Sequence, residues 1–214
     1  MRLIAALLAT LLLAPTAHAQ VVSSGPVSRG AVTPETIDKR LQGTAETAKG
    51  ISATGLPRGA IVDFAWAQDP DEYRALGKYV VVFVSAVSQD AAELPLKRVY
   101  VVDAKGREVV LRKISSERRE VPKDTLVHAM LGPYREDSFY LAPARAMMND
   151  GTLLLDFAVR RSGFSVYELP GTPPDFIKAD RNPVPARNAK PDAKAIKTLF
   201  EREYTGFKLP NFAR

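Results

Sequence analysis

Apolar and polar positions along the chain fall into short blocks, most with the period of a strand. Residues 60–67 (AIVDFAWA), 78–88 (KYVVVFVSAVS), 98–102, 108–114, 125–131, 138–141, 152–159 and 164–169 each read as a strand. The run 78–88 is β-branched and aromatic through its first half, the composition of a strand buried on both faces. Asp103-Ala104-Lys105-Gly106 and Arg160-Arg161-Ser162-Gly163 carry hairpin signals. Helical patterns between these blocks are few, which argues against a parallel α/β sheet. One stretch, 142–149 (APARAMMN), allows a single helical turn crossing between sheets. Short strands with turn signals every roughly 8–12 residues predict a mainly β fold: an antiparallel β-sandwich, with the immunoglobulin-like arrangement as one form of it.

A helix is expected on each side of this body. Thr33 can cap and Pro34 suits a first helical position, so a helix is predicted over 34–49, with Ile37, Leu41, Ala45 and Ala48 on one face. After Leu169 come Pro170, Pro173, Pro174, Pro183, Pro185 and Pro191, the composition of a semi-rigid polyproline spacer. Residues 192–204 then form an amphipathic pattern, with Pro191 expected in the first turn and Ile196, Leu199, Phe200 and Tyr204 at helical spacing. The predicted organisation is a leader at 1–19, a polar lead at 20–59, a β domain at 60–170, a proline-rich linker at 171–191, and a helix with an aromatic tail at 192–214.

The leader changes the picture most. Arg2 precedes an apolar run over 3–14, and Ala17-His18-Ala19 supplies a small-x-small site with cleavage expected before Gln20. That run is shorter than the ~20 residues a membrane span needs, and no later segment approaches that length. The chain is therefore expected in the periplasm, with secretion as the alternative, and not as an integral membrane protein. No cysteine follows the run and no twin arginine precedes it, which excludes a thioether lipid anchor and twin-arginine export. The complete absence of cysteine excludes thiol catalysis, thiolate metal sites and disulfides, so the core holds by packing alone. The formal charge is +6 over 214 residues. It is spread as a near-neutral body between basic flanks, a pattern suited to an anionic envelope surface or an acidic partner.

Candidate chemistry is sparse. His128 is the one histidine left after cleavage; no G-x-S-x-G or S-x-x-K motif accompanies it. It falls in a strand-like alternation and is expected to be half-buried and structural. No cofactor or metal is expected: one histidine cannot build a zinc site without carboxylates, and Asp69-Pro70-Asp71-Glu72, lacking calcium-loop spacing, reads as a solvated turn. Ser115–Glu120 is expected to be a solvated loop or hairpin end. No phosphate loop occurs, and an exported near-neutral body makes nucleic acid an unsuitable partner. Asp63 and Asp156 each interrupt an apolar strand, so they are the carboxylates to watch for a glycosidase-like pair. Ile196, Phe200, Tyr204, Phe207 and Phe212 form the candidate partner-binding stripe. Their burial is worth its ordering cost either on the chain's own body or on a partner. The expected function is a non-enzymatic cell-envelope interaction module binding a protein or envelope component, with a homo-oligomer open. The alternatives are a carbohydrate- or peptidoglycan-directed enzyme using an Asp/Glu pair, and a small-ligand-binding β-barrel.

Overall fold

The computed structural model describes residues 21–22, 31–49, 58–103, 105–148, 151–158, 164–168, 173–187 and 189–209. The leader, the 160–163 hairpin signal and Phe212 lie outside them. In chain order the elements are β1 (Val21–Val22), α1 (Pro34–Lys49), β2 (Arg58–Ala65), α2 (Pro70–Ala75), β3 (Tyr79–Ser88), a 3-10 turn (Ala91–Glu93), β4 (Arg98–Val102), β5 (Glu108–Val110) and β6 (Arg112–Glu120). There follow α3 (Leu126–Met130), β7 (Tyr134–Pro143), α4 (Ala144–Met148), β8 (Thr152–Asp156), β9 (Phe164–Glu168), α5 (Asp175–Lys178) and α6 (Ala193–Glu203).

The fold is mainly β, in two sheets ordered β1-β2-β3-β7-β6 and β5-β4-β8-β9, with several helices. Pairing is antiparallel except for the two residues of β1, which run parallel to β2. Strand β3 sits in the middle of the first sheet and is buried on both faces, as its composition predicts. Its alternation divides the molecule. Val81, Phe83 and Val87 join a core with α1, α3, α6 and Tyr73 of α2, whereas Val80, Val82, Val84 and Ala86 join a core with Val99, Val101, Leu153 and Leu155 of the second sheet. One face of the first sheet is therefore covered by helices and the other shares an apolar layer with the second sheet.

The sequence-derived elements hold in some places and fail in others. Helix α1 spans the predicted residues, and Ile37, Leu41, Ala45 and Ala48 are all buried. The 103–106 hairpin joins β4 to β5, with Gly106 at φ +74°. Helix α4 makes the expected turn between β7 and β8. The block 125–131 is not a strand: Thr125 caps α3 by accepting from the His128 N–H, so His128 is a half-buried helical residue. Asp69 likewise does not break the chain into a bare turn; its carboxylate accepts from the Asp71 and Glu72 N–H groups and starts α2. The block 108–114 is two strands, because Leu111 turns into the shared apolar layer and hands the chain from the second sheet to the first. Ser115–Glu120 is no loop but the outer half of β6, an edge strand whose charges suit an unpaired edge.

Helix α6 starts at Ala193, so Pro191 lies ahead of its first turn, because Asp192 is the cap and its carboxylate accepts from the Lys194 N–H. Asp192→Ala should cost about 1 kcal/mol of folding stability, the usual worth of such a cap. Denaturant unfolding measures it, and an unchanged midpoint would remove the cap from the account. The helix is tied to its neighbours: Arg202 donates to Glu72 of α2 at 2.8 Å, and the Val32 N–H donates to the Glu203 carbonyl at 2.6 Å. Within the proline-rich stretch, α5 packs on α2, with Phe176 edge-on to Tyr73 at 6.1 Å and Ile177 buried. Among the described residues no helix is long and apolar enough to cross a membrane.

Candidate functional site

The side chains of β6 and β7 that face the helical layer build an unusual charged floor. On β7 the alternation that sends Phe139 and Leu141 into the helical core also sends Arg135 and Asp137 to that face. On β6, Ser115, Glu117 and Arg119 lie opposite Phe139, Asp137 and Arg135. Two carboxylates and two guanidiniums thus stand directly across from their own kind, which would be repulsive by itself. Pairs along each strand and one diagonal between them resolve it. Arg135 Nε donates to Asp137 Oδ1 at 2.8 Å and Arg119 Nη2 donates to Glu117 Oε2 at 3.2 Å. Arg119 Nε lies 3.5 Å from Asp137 Oδ2, an ion pair too long for a hydrogen bond. From above, Asp38 of α1 accepts from Arg135 Nη1. Burial works against the Arg135 charge, but Asp137 and Asp38 outweigh it and hold the guanidinium's pKa above its ordinary value.

This floor has unused hydrogen-bonding capacity. Arg135 Nη2, Arg119 Nε, Asp137 Oδ2 and the Oγ of Ser85, which is paired across β3 with Asp137, are buried without a hydrogen-bond partner among the described residues. Arg119 Nε and Asp137 Oδ2 face each other in the 3.5 Å ion pair, which leaves Arg135 Nη2 and Ser85 Oγ as the buried polar atoms of this floor with no partner among the described residues. A cleft of about 530 Å³ opens onto the two arginines. Its walls are Asp38, Lys39, Leu41 and Gln42 of α1, the end of β6 with Glu120 and Val121, and the segment from Pro122 into α3. The lining mixes three acidic and three basic side chains with an apolar strip of Leu41, Val121, Pro122, Leu126 and Val127.

The residues singled out from sequence lie elsewhere. Ile196, Phe200 and Tyr204 are buried in the chain's own helical core, with Phe200 4.5 Å and Tyr204 5.1 Å from the Phe139 ring. These three members of the stripe are therefore covered in cis. Phe207 packs beside it, and Arg119 lies 6.0 Å from its ring centroid. Burial, with Asp63 and Glu203 nearby, pushes ionisation of the Tyr204 phenol well above its usual range. Asp63 and Asp156 do not meet. Asp63 lies on the helical side, bonded to Arg40 of α1 at 2.9 Å, and burial raises its pKa against the pull of that arginine. Asp156 alternates with Leu153, Leu155 and Phe157, so it lies on the far side of the second sheet, paired with Arg98. Both sheets stand between the two carboxylates. His128 is not among the residues lining the cleft. Among the described residues no group of three or more His, Cys, Asp or Glu side chains is placed to hold a metal.

Arg119, Arg135, Asp137 and Ser85 were not legible as a site. The period-two alternation of Glu117 and Arg119 was the available signal, and it was hidden because RKISSERRE carries almost no apolar residue to mark it as a strand. Compared with family models, with curated proteins and with solved structures, the chain shows no significant match.

Proposed function

We propose that the chain is an exported, non-enzymatic module of the cell envelope that binds a protein partner through the cleft between α1, α3 and the β6–β7 floor. The carrying observation is an open, half-apolar cleft whose lining includes Arg119 and the buried Arg135, with Arg135 Nη2 lacking a hydrogen-bond partner among the described residues. Export rests on the 1–19 leader pattern, with the periplasm as the address and secretion as the alternative. The accompanying fold reading is a β-sandwich, supported by the apolar layer the two sheets share; the helical layer is an addition to any plain immunoglobulin-like form. The described end of the tail adjoins this surface, since Phe207, Lys208 and Leu209 line a smaller recess with Glu117 and Asp137.

The enzymatic alternative would use Glu117 and Asp137, which are opposed across β6 and β7. Both carboxylates are already paired with Arg119, an arrangement suited to holding arginines in place. A photo-crosslinking amino acid at Gln42 or Asp124, on the cleft wall, should capture a partner in the cell envelope. The same group at Val110, exposed on β5, should not. Absence of crosslinks from both cleft positions, or equal capture from Val110, would overturn the reading.

A further inference from the structure

We infer that the proline-rich loop 181–191 docks the chain on an anionic lipid bilayer. This goes beyond the cleft reading and uses a different surface. The loop, RNPVPARNAKP, carries Arg181, Arg187 and Lys190 and no carboxylate. Both its ends are pinned to one short stretch, residues 75–78. On the entering side Lys78 Nζ donates to the Asn182 carbonyl and lies 2.9 Å from Asp180 Oδ2. On the leaving side the Asp192 N–H donates to the Ala75 carbonyl at 2.8 Å, and a β-carbon placed on Gly77 would stand 3.5 Å from that of Ala189. Gly77 and Lys78 take the neck through left-handed backbone, at φ +62° and +66°. A lysine holds that conformation at a cost glycine avoids, and its amine is what closes the neck. A surface loop with joined ends gathers its side chains in one place, so its cations form a single patch.

The charge of that patch is uncompensated. Neighbouring carboxylates are matched: Asp180 by Lys78, Asp175 by Lys178, Asp71 by Arg74 and Glu201 by Lys197. Glu72 and Glu203 share Arg202 at the far end of α6. Asp192 remains, capping α6, against Arg181, Arg187, Lys190 and Lys194, which are exposed and form no ion pair among the described residues. Between Arg181 and Arg187 stands Val184, 45% exposed and flanked by two prolines. An exposed apolar side chain with cations on both sides matches an anionic bilayer, whose headgroups meet the cations while the acyl boundary receives the apolar group. A protein partner would be held by aromatic or larger apolar anchors, and the loop has none. The expected export puts lipid, not nucleic acid, within its reach. Along β3 the neck stands about 30 Å from Val87, which pairs with Arg135 of the cleft. A chain lying on a bilayer by this loop therefore leaves the cleft free.

The test is co-sedimentation of the mature chain, 20–214, with vesicles of phosphatidylcholine alone and with vesicles in which phosphatidylglycerol is roughly a third of the lipid. Beads carrying polyglutamate form a separate arm. The charged vesicles should bind the chain at least about tenfold more than the neutral ones, and added salt should release it. Lys190→Gln should weaken binding about fivefold and Arg187→Gln with Lys190→Gln about 25-fold, the effect of one and two surface charges. Lys123→Gln removes the same charge at the other end of the sheet, past Glu120, whose partner Tyr134 pairs with the last residue of β3. It should leave binding within about twofold. Arg187, Lys190 and Lys123 are all exposed, so their variants should keep the circular dichroism of the parent chain. Equal binding to neutral and charged vesicles, no binding to either, or equal losses from Lys190→Gln and Lys123→Gln would each overturn the inference. So would capture by polyglutamate as strong as by charged vesicles, which would make the loop a site for an acidic protein. The cleft crosslinks report on a different surface, so they can succeed while vesicle binding fails, and each reading falls by its own experiment.

Discussion

Chains ending at residue 170 should not fold, and Phe200→Ala in the full chain should lower folding stability by about 3–5 kcal/mol. The tail supplies Ile196, Leu199, Phe200 and Tyr204 to the helical core, all of them buried. Phe200 sits against Phe139 at 4.5 Å and Tyr204 at 5.3 Å, and Tyr204 is 5.9 Å from Phe83. Phe83 and Phe139 are central residues of β3 and β7. Removing α6 would expose them and the helical face of the sheet around them, a contiguous apolar area a monomer does not tolerate in water. The single substitution is the gentler probe: it removes one ring and leaves a cavity between helix and sheet that rigid strands cannot close. Denaturant unfolding followed by circular dichroism checks both. A folded, cooperative 20–170 chain, or a Phe200→Ala loss below about 1 kcal/mol, would show that the tail is an appendage after all.

The second large effect lies on the opposite face of the first sheet, at the crossover to the second. Glu93→Ala should cost about 3–5 kcal/mol, the range for breaking one side of a buried ion pair. Glu93 sits on the 3-10 turn between β3 and β4. Its carboxylate accepts from Arg58 Nε at 2.7 Å, from Arg58 Nη2 and from the Ser88 hydroxyl. Next to it, fully buried Glu136 of β7 accepts from the Leu96 N–H and from Lys113 Nζ, both at 2.7 Å, and Arg118 donates to the Leu94 carbonyl. These bonds hold the crossover segment down so that Leu94 and Leu96 reach the layer between the sheets. Without Glu93 the Arg58 guanidinium stays buried with its countercharge gone. The double replacement Arg58→Met with Glu93→Leu should recover much of the loss, because burial of a charge pair stabilises little beyond well-packed apolar groups. A Glu93→Ala loss under about 1 kcal/mol, or no recovery in the double variant, would contradict this account.

Where local chemistry sufficed, the elements were readable. Helix α1 announces itself by a cap, a proline and a four-residue apolar spacing, and β3 by an unbroken β-branched run. Where an element is defined by its neighbours, reading failed. The segment Leu126–Met130 alternates like a strand, but the Thr125 cap and packing against α1 make it a turn of helix. Strand β6 lacks apolar marks because it is an edge, held by its ladder to β7 and not by burial of its own side chains. The charged floor was unreadable for the same reason: Arg119 and Arg135 are 16 positions apart in the chain and become neighbours only through strand register.

By itself the sequence determined a mainly β chain, a helix on either side of the strands, a core without disulfides, and the expectation of export. These follow from composition and from spacing within about ten residues, where backbone geometry fixes which side chains share a face. The tertiary structure decided the rest. It placed Ile196, Phe200 and Tyr204 against the chain's own sheet, set Asp63 and Asp156 on opposite sides of two sheets, and brought Arg119 and Arg135 together at one cleft. Those outcomes depend on which strands pair and which layer each face meets. Burial and register set them between residues distant in sequence, so no local pattern encodes them.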